Sequence, residues 1–356
     1  HLITKAFQAL RQKGVELSDD DLEAAQIAIL MHDIGHGPFS HALEATLVND
    51  ISHEEISGLL MQQINQDLDG KIDKAIAIFE DQYGPDRHFL HELVASQLDM
   101  DRLDYLARDS FYTGVSEGVI GVERIIEMLA VRDGRLAVEH KGIYSIEKFL
   151  ISRRLMYWQV YLHKTVVSAE KLLLKILLRA QELAQGGKAL FATPNLKFFL
   201  HNRVTGTDFR ENSEVIATFA SLDDHDIMAA VKVWAHDDDR ILAMLCQNML
   251  QRNLFKTVIR DAPFAEAEMD ALRAQVSEQY SIGYEEASYL AFSGSLTNAA
   301  YEPNDPININ ILFRNGELTD ITQASDQYNI SALSRTVQKH FLCYPKSIAE
   351  PVVSLT

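Results

Sequence analysis

Cysteine is nearly absent from this chain: Cys246 and Cys343 are the only two in 356 residues, and no CxxC spacing occurs. That speaks against a disulfide framework and against a cysteine-built zinc site, and it makes a reducing cytoplasm the expected setting. No apolar run reaches the roughly 18 residues needed to span a bilayer, so no membrane partner is expected. No secretory leader is visible at the start. The chain does open at His1 without an initiator Met and inside a helical pattern, so an upstream segment is expected. Positive charge is scarce too, with 33 Lys+Arg against 51 Asp+Glu and a formal net charge of -18. Such a surface disfavours broad binding to nucleic acid or anionic membrane. A small anionic substrate stays compatible with it, because a metal and a few local cations reverse the field inside one pocket. Internal repeats and low-complexity tracts are missing as well.

What is present describes an ordinary globular protein, with 47% hydrophobic residues and length for one large domain or a few smaller ones. Most of the first 260 residues read as helix. Residues 1–13 look like the tail of an amphipathic helix stopping near Gly14, and Ser18-Asp19-Asp20-Asp21 supplies N-cap chemistry for a helix from Leu22 to Met31. Gly35 and Gly37-Pro38 break that helix, and another is expected from Ser40 to Val48. A long helix is expected from Phe89 to Ser110, and one long or two stacked helices over 145–185, ended by Gly186-Gly187. Arg132-Asp133-Gly134 reads as a turn between short strands. Toward the C-terminus, Ile307 to Phe313 alternates at period two, Asn315-Gly316 is a hairpin turn signal, and Glu317 to Ile321 would return. The expected organisation is a helical core over 1–185, a helical extension over 186–290 and a small α+β unit over 291–356.

The chemistry concentrates in Met31-His32-Asp33-Ile34-Gly35-His36-Gly37-Pro38-Phe39-Ser40-His41. Adjacent His32 and Asp33 offer an ion one imidazole nitrogen and one carboxylate oxygen, a pair that tolerates Mn, Fe, Zn, Ni or Mg. His36 and His41 just beyond can bind phosphate or move protons near neutral pH. The bland alternative is a polar helix end arisen by chance; it weakens because remote segments fit the same chemistry. Asp101, Tyr105 and Asp109 stand at i, i+4 and i+8, so they share one helical stripe with Arg102 at its edge. Alone, that stripe would read as a solvated acidic face. His53-Glu54 is a third piece, since a carboxylate beside an imidazole orients it and raises its basicity. Tyr157, Tyr161 and Lys164 share a face, with Arg153 and Arg154 a turn earlier, and read equally as an anion contact or a packed aromatic stripe. His225-Asp226 and His236-Asp237 repeat the dipeptide inside acidic stretches without neighbouring glycines, and are read as solvated helix ends.

The order His-Asp, His-Glu, helical Asp resembles the HD-domain metal-dependent phosphohydrolases. The fuller strings HDIGHGPFSH, HEE and DMDRLDYLARD resemble the deoxynucleoside triphosphate triphosphohydrolase branch, over about residues 1–180 and more weakly beyond. The resemblance implies a mainly α fold, an HD-domain helical bundle with a small C-terminal α+β unit. It implies a divalent metal (Mn, Fe, Mg, Ni or Zn) held by His32, Asp33 and Asp101. It implies a catalytic His53–Glu54 dyad, His36 and His41 facing the triphosphate with His36 as a proton donor or water-positioning group, and Arg102 on phosphate. Tyr105 and Asp109 would contact the deoxyribose, Asp109 at the 3'-hydroxyl, with Tyr161 packed under the sugar and Lys164 a further phosphate or structural contact. The first metal ligand of that branch, a His in an Arg-Phe-x-His motif, has no counterpart here; it is expected upstream of His1, with His1 itself the lesser alternative.

The implied reaction converts a deoxynucleoside triphosphate to deoxynucleoside and inorganic triphosphate, with dGTP a natural trial substrate and a dimer or tetramer the expected assembly. The rival expectations are an HD-type nucleotidase or phosphodiesterase acting on another nucleotide, and a non-catalytic nucleotide sensor on the same fold.

Overall fold

The computed structural model describes residues 1–40, 46, 48–302, 307–326 and 334–348. In chain order the elements begin with α1 (Leu2–Gln12), α2 (Asp19–Met31), β1 (Val48–Asn49), α3 (His53–Asp67), α4 (Asp73–Phe79), α5 (His88–Val94), α6 (Met100–Thr113) and α7 (Val122–Met128). They continue with β2 (Leu129–Arg132), β3 (Arg135–Glu139), α8 (Ile143–Met156), a π-helical turn (Tyr157–Tyr161), α9 (Lys164–Gln185), α10 (Pro194–His201) and β4 (Val204–Thr205). The remainder is α11 (Gly206–Glu211), α12 (Ser213–Ala220), α13 (Asp224–Trp234), α14 (Arg240–Leu250), β5 (Lys256–Arg260), α15 (Glu266–Tyr280), α16 (Tyr284–Leu290), β6 (Phe292–Asn298), β7 (Asn310–Leu312), β8 (Leu318–Asp320), α17 (Ile321–Ala324) and β9 (Val337–Tyr344). The fold is mainly α with small sheets, as the residue pattern leads one to expect. Among the described residues, no helix is long and apolar enough to cross a membrane.

Backbone contacts divide the chain into two units. The first holds His1–Gly35, Ser57–Tyr161 and Asn298–Val337; the second holds His36–Ile56, Leu162–Thr297 and Gln338–Thr356. These boundaries differ from the expected breaks after 185 and 290, because segments distant in sequence share a core. Pattern along the chain reports helices and strands; it does not report which ones pack together.

In the first unit, α1 buries Phe7 and Leu10, α2 buries Ala25 and Ala28, and α6 buries Leu103 and Leu106 in one core with Phe149 and Leu150 of α8. Each large apolar side chain so buried contributes roughly 1.5–3 kcal/mol. The helix expected from Phe89 to Ser110 is two helices. Asp99 is buried, its side chain accepts from the Arg102 amide, and it starts α6 as an N-cap. Ser96 Oγ takes the Leu98 amide in the break. Local side-chain acceptors thus outcompete the helical ladder over Ser96–Leu98. A sheet of order β2-β3-β7-β8 completes the unit. Its first hairpin turns at Asp133 and Gly134, both at positive φ (52° and 74°), which suits Asp-Gly. The expected Asn315-Gly316 hairpin forms between β7 and β8, and β7 runs parallel to β3 with Val138 opposite Ile311.

In the second unit, α9 packs on α14, and Trp234, Phe199 and Phe209 are fully buried. Phe209 and Phe199 each meet Phe219 edge-on, at 5.4 Å and 6.1 Å between centroids. Here β9 runs antiparallel to β5, within the order β5-β9-β6. The C-terminal strands, expected together, are therefore divided between two sheets. Val48, expected to end a helix begun at Ser40, instead joins Asn49 in a parallel strand against Val204 and Thr205. Residues 41–45 and 47 of that expected helix lie outside the described residues.

Candidate functional site

Helix α2 starts on a capping box between Ser18 and Asp21 and ends at Met31, so its C-terminal end presents His32 and Asp33. His32 Nδ1 lies 2.7 Å from the Ile29 carbonyl, which only accepts; Nδ1 therefore carries the proton and Nε2 points to the carboxylates. Just past them, the Gly35 amide donates to Ser57 Oγ at 2.9 Å, a buried contact that pins the turn to α3. Because Asp99 caps α6, Asp101 falls in that helix's first turn, facing His32. His32 Nε2 is 3.2 Å from Asp33 Oδ2 and 3.9 Å from Asp101 Oδ2. One ligand atom from each of His32, Asp33 and Asp101 lies within 4.8 Å of the others.

Burial alone would lower the His32 pKa, but the neighbouring carboxylates of Asp101 and Asp33 outweigh it and hold the imidazole at about 9. A cation is what this cluster favours. One imidazole and two carboxylates fit a divalent ion of borderline to hard character. His1 is exposed at the start of α1 and is not one of this group.

Farther along α6, Tyr161 Oη donates to Asp109 Oδ2 at 2.7 Å. Burial first, and that hydrogen bond second, push the Tyr161 phenol far above its usual range, so it stays a donor. Tyr105 and Tyr157 meet Tyr161 edge-on, with centroids 6.0 Å and 5.2 Å away. Both Tyr157 and Tyr161 sit in the π-helical turn after α8, a local underwinding frequent at functional sites. The Arg102 guanidinium is partly committed: Nε donates to the Ser96 carbonyl at 2.6 Å and to Asp99 Oδ2 at 3.0 Å. Arg153 is 8% exposed, donates from Nη1 to the Ala300 carbonyl at 3.1 Å, and leaves Nε without a partner among the described residues. Burial and the neighbouring Arg102 lower its pKa. Two guanidinium groups thus lie near the buried Asp99, with Asp101 a further acid close by.

The second unit holds His36 and His53. His36 and His53 stack, with ring centroids 3.9 Å apart and planes 17° from parallel. His53 Nε2 is 3.3 Å from Glu54 Oε1. Burial would raise the Glu54 pKa, but a hydrogen bond from Ser52 and the charges of His53 and His36 lower it, so the carboxylate is ready to stabilise an imidazolium. Lys164 is exposed at the first position of α9. His41 lies outside the described residues.

The repeated dipeptides are used structurally. The Asp223 side chain forms a capping box with Asp226, and His225 is 94% exposed. Lys188 pairs with Asp237 and Asp238, and Arg179 pairs with Asp239 at 2.6 Å. Sequence reading missed two residues: Ser57 beneath the His32-Asp33 turn, and Asp224, which accepts from the Phe39 amide at 2.9 Å. Periodicity carries no signal for either of them, since each acts through a contact remote in sequence.

Among known proteins, the HD domain family matches residues 4–109, and the HD associated region matches residues 120–189. The crystal structure of a phosphohydrolase from Bacteroides thetaiotaomicron VPI-5482 is similar with a TM-score of 0.90 and 51% identity, over 97% of this chain and 85% of that one. The uncharacterized protein YwfO of Bacillus subtilis (strain 168) is 32% identical over 346 residues, 94% of this chain and 76% of its own. The deoxynucleoside triphosphate triphosphohydrolase SAMHD1 homolog of Dictyostelium discoideum is 31% identical over 187 residues, which is 48% of this chain and 36% of that protein.

Proposed function

Since this chain belongs to the HD-domain phosphohydrolases, we propose that it hydrolyses deoxynucleoside triphosphates to deoxynucleoside and inorganic triphosphate. The observation that carries the substrate choice is the Asp109 carboxylate held by Tyr161 beside Tyr105. A fixed carboxylate accepts from one hydroxyl, and aromatic edges line apolar carbon. A deoxyribose offers that combination, with its 3'-hydroxyl next to a bare C2'.

His32, Asp33 and Asp101 would hold a divalent ion, one of Mn, Fe, Mg, Ni or Zn. Lewis-acid polarisation of a phosphate oxygen and acidification of water are the chemistry such an ion supplies when bound. Arg102 and Arg153 offset the charge of the triphosphate, and His36 and His41 add donors to it. Water oxygen bonds to the α-phosphorus while the bond from that phosphorus to the 5'-oxygen breaks. His53 moves the proton that the 5'-oxygen needs, and Glu54 stabilises the imidazolium. Tyr161 keeps Asp109 aimed at the sugar. Lys164 serves as a further phosphate or structural contact, and the protein works as a homo-oligomer in the cytoplasm, where the buried thiols of Cys246 and Cys343 stay reduced.

Product analysis on dGTP with Mn or Mg ions is the test. Deoxyguanosine with inorganic triphosphate is the expected result. Release of dGMP with pyrophosphate, or no turnover with any divalent metal, overturns the proposal.

A further inference from the structure

The stacked pair of the second unit rests on a strained support. Phe39 and Ser40 both adopt left-handed backbone conformations, with φ of 54° and 53°. Two consecutive non-glycine residues there are disfavoured, because each Cβ crowds its own carbonyl. Something must hold them. Within the segment, Ser40 donates its amide to the Gly37 carbonyl at 2.8 Å, and Ser40 Oγ lies 3.2 Å from His36 Nδ1. From outside it, Asp224 Oδ1 accepts the Phe39 amide at 2.9 Å, across 185 residues of sequence.

The same remote region grips the segment again before His53. Strand β4 pairs with β1, and Gly206 lies so close to Asp50 that a Cβ on it would stand 2.6 Å from the Asp50 carbonyl oxygen. Arg210 Nε then meets Glu55 Oε1 at 2.5 Å. The residues flanking both histidines are therefore set by one scaffold, the stretch from β4 to the start of α13.

We propose that Asp224 is a positioning residue for the His36–His53 pair: its carboxylate oxygen holds the left-handed turn at Phe39 and Ser40, and Ser40 in turn fixes the His36 ring against His53. It never touches substrate. Its catalytic consequence rests on the reading that these histidines serve hydrolysis; its geometric consequence does not.

The experiment compares D224A and D224N in the full chain, with histidine-selective isotope labelling. The ring signals of His36 and His53 report the stack, and kcat and KM are read on dGTP with Mn ions. D224A is expected to move both ring signals and lower kcat about tenfold to a hundredfold, with a smaller change in KM and little change in Tm. D224N keeps an oxygen acceptor and is expected to behave as the parent. Adding F39G to D224A is expected to restore the ring signals, because glycine accepts a positive φ freely. Unmoved ring signals in D224A overturn the proposal, and so does a D224N variant as impaired as D224A. If D224A does not fold, D224E decides: it keeps the charge and moves the acceptor by one methylene, and unmoved ring signals again overturn the idea. If the parent turns over none of the four deoxynucleotides, the substrate reading falls, while the ring signals still decide the role of Asp224.

Discussion

His32-Asp33 and His225-Asp226 are the same dipeptide at opposite ends of helices. The first stands at the C-terminal end of α2, with His32 locked on the Ile29 carbonyl and facing Asp101. The second stands in the first turn of α13, where Asp226 closes a capping box and His225 projects into solvent. At the start of α13 the Asp223 and Asp226 carboxylates are spent on that helix's own amides, so neither is left for an ion. A helix C-terminus has no such claim on them. The dipeptide acquires chemistry only where its carboxylate is spare and a remote acid meets it.

Removing the remote acid should break this contrast most severely. Asp101→Ala is expected to lower Mn affinity by at least about a hundredfold and to abolish turnover, as read by titration calorimetry and product assay. Parent-like Mn affinity in that variant would refute the cluster as the ion site.

Next in size is the sugar contact. Tyr161→Phe deletes the donor to Asp109, and a charge-assisted hydrogen bond lost there is worth about 1.5–3 kcal/mol. KM for dGTP should rise roughly tenfold or more while Mn affinity holds. An unchanged KM would remove Asp109 from substrate recognition.

The two capping boxes sharpen the comparison in stability. Asp21 is buried; burial would raise its pKa, but bonds from Tyr83, Ser18 and Arg87 hold it at about 2, below the ordinary 3.8. The lowered value means that its stabilisation is complete above about pH 4 and drains away as pH falls through 2. That shift corresponds to about 2 kcal/mol. Denaturant unfolding of Asp21→Asn at neutral pH should show a loss of that order, shrinking toward pH 2. Asp226→Asn, on the exposed box, should lose less. His225→Ala anchors the bottom of the scale, with turnover, Mn affinity and Tm all at parental values.

Much of this was readable beforehand. The Ser18 cap, the helix end at Met31, the Asp-Gly and Asn-Gly turns and the stop at Gly186-Gly187 all follow from local backbone chemistry. The break between α5 and α6 was not readable, because Ser96 and Asp99 look like tolerable helix residues until their side chains are seen capturing amides. The partition of β7, β8 and β9 between two sheets was equally hidden, since it depends on partners remote in sequence, Val138 for Ile311 and Thr257 for Cys343.

By itself, the order of residues determined which groups this protein owns: an imidazole beside a carboxylate at a helix end, a carboxylate–phenol stripe and a His-Glu pair. Those are short-range facts, set by helical pitch and by turn and cap chemistry. Tertiary structure decided which of three His-Asp pairs meets a second acid, that Tyr161 holds Asp109, and that Asp224 holds the turn bearing His36. Contacts of that kind arise from core packing between distant segments, and no local pattern encodes the distance between their side chains.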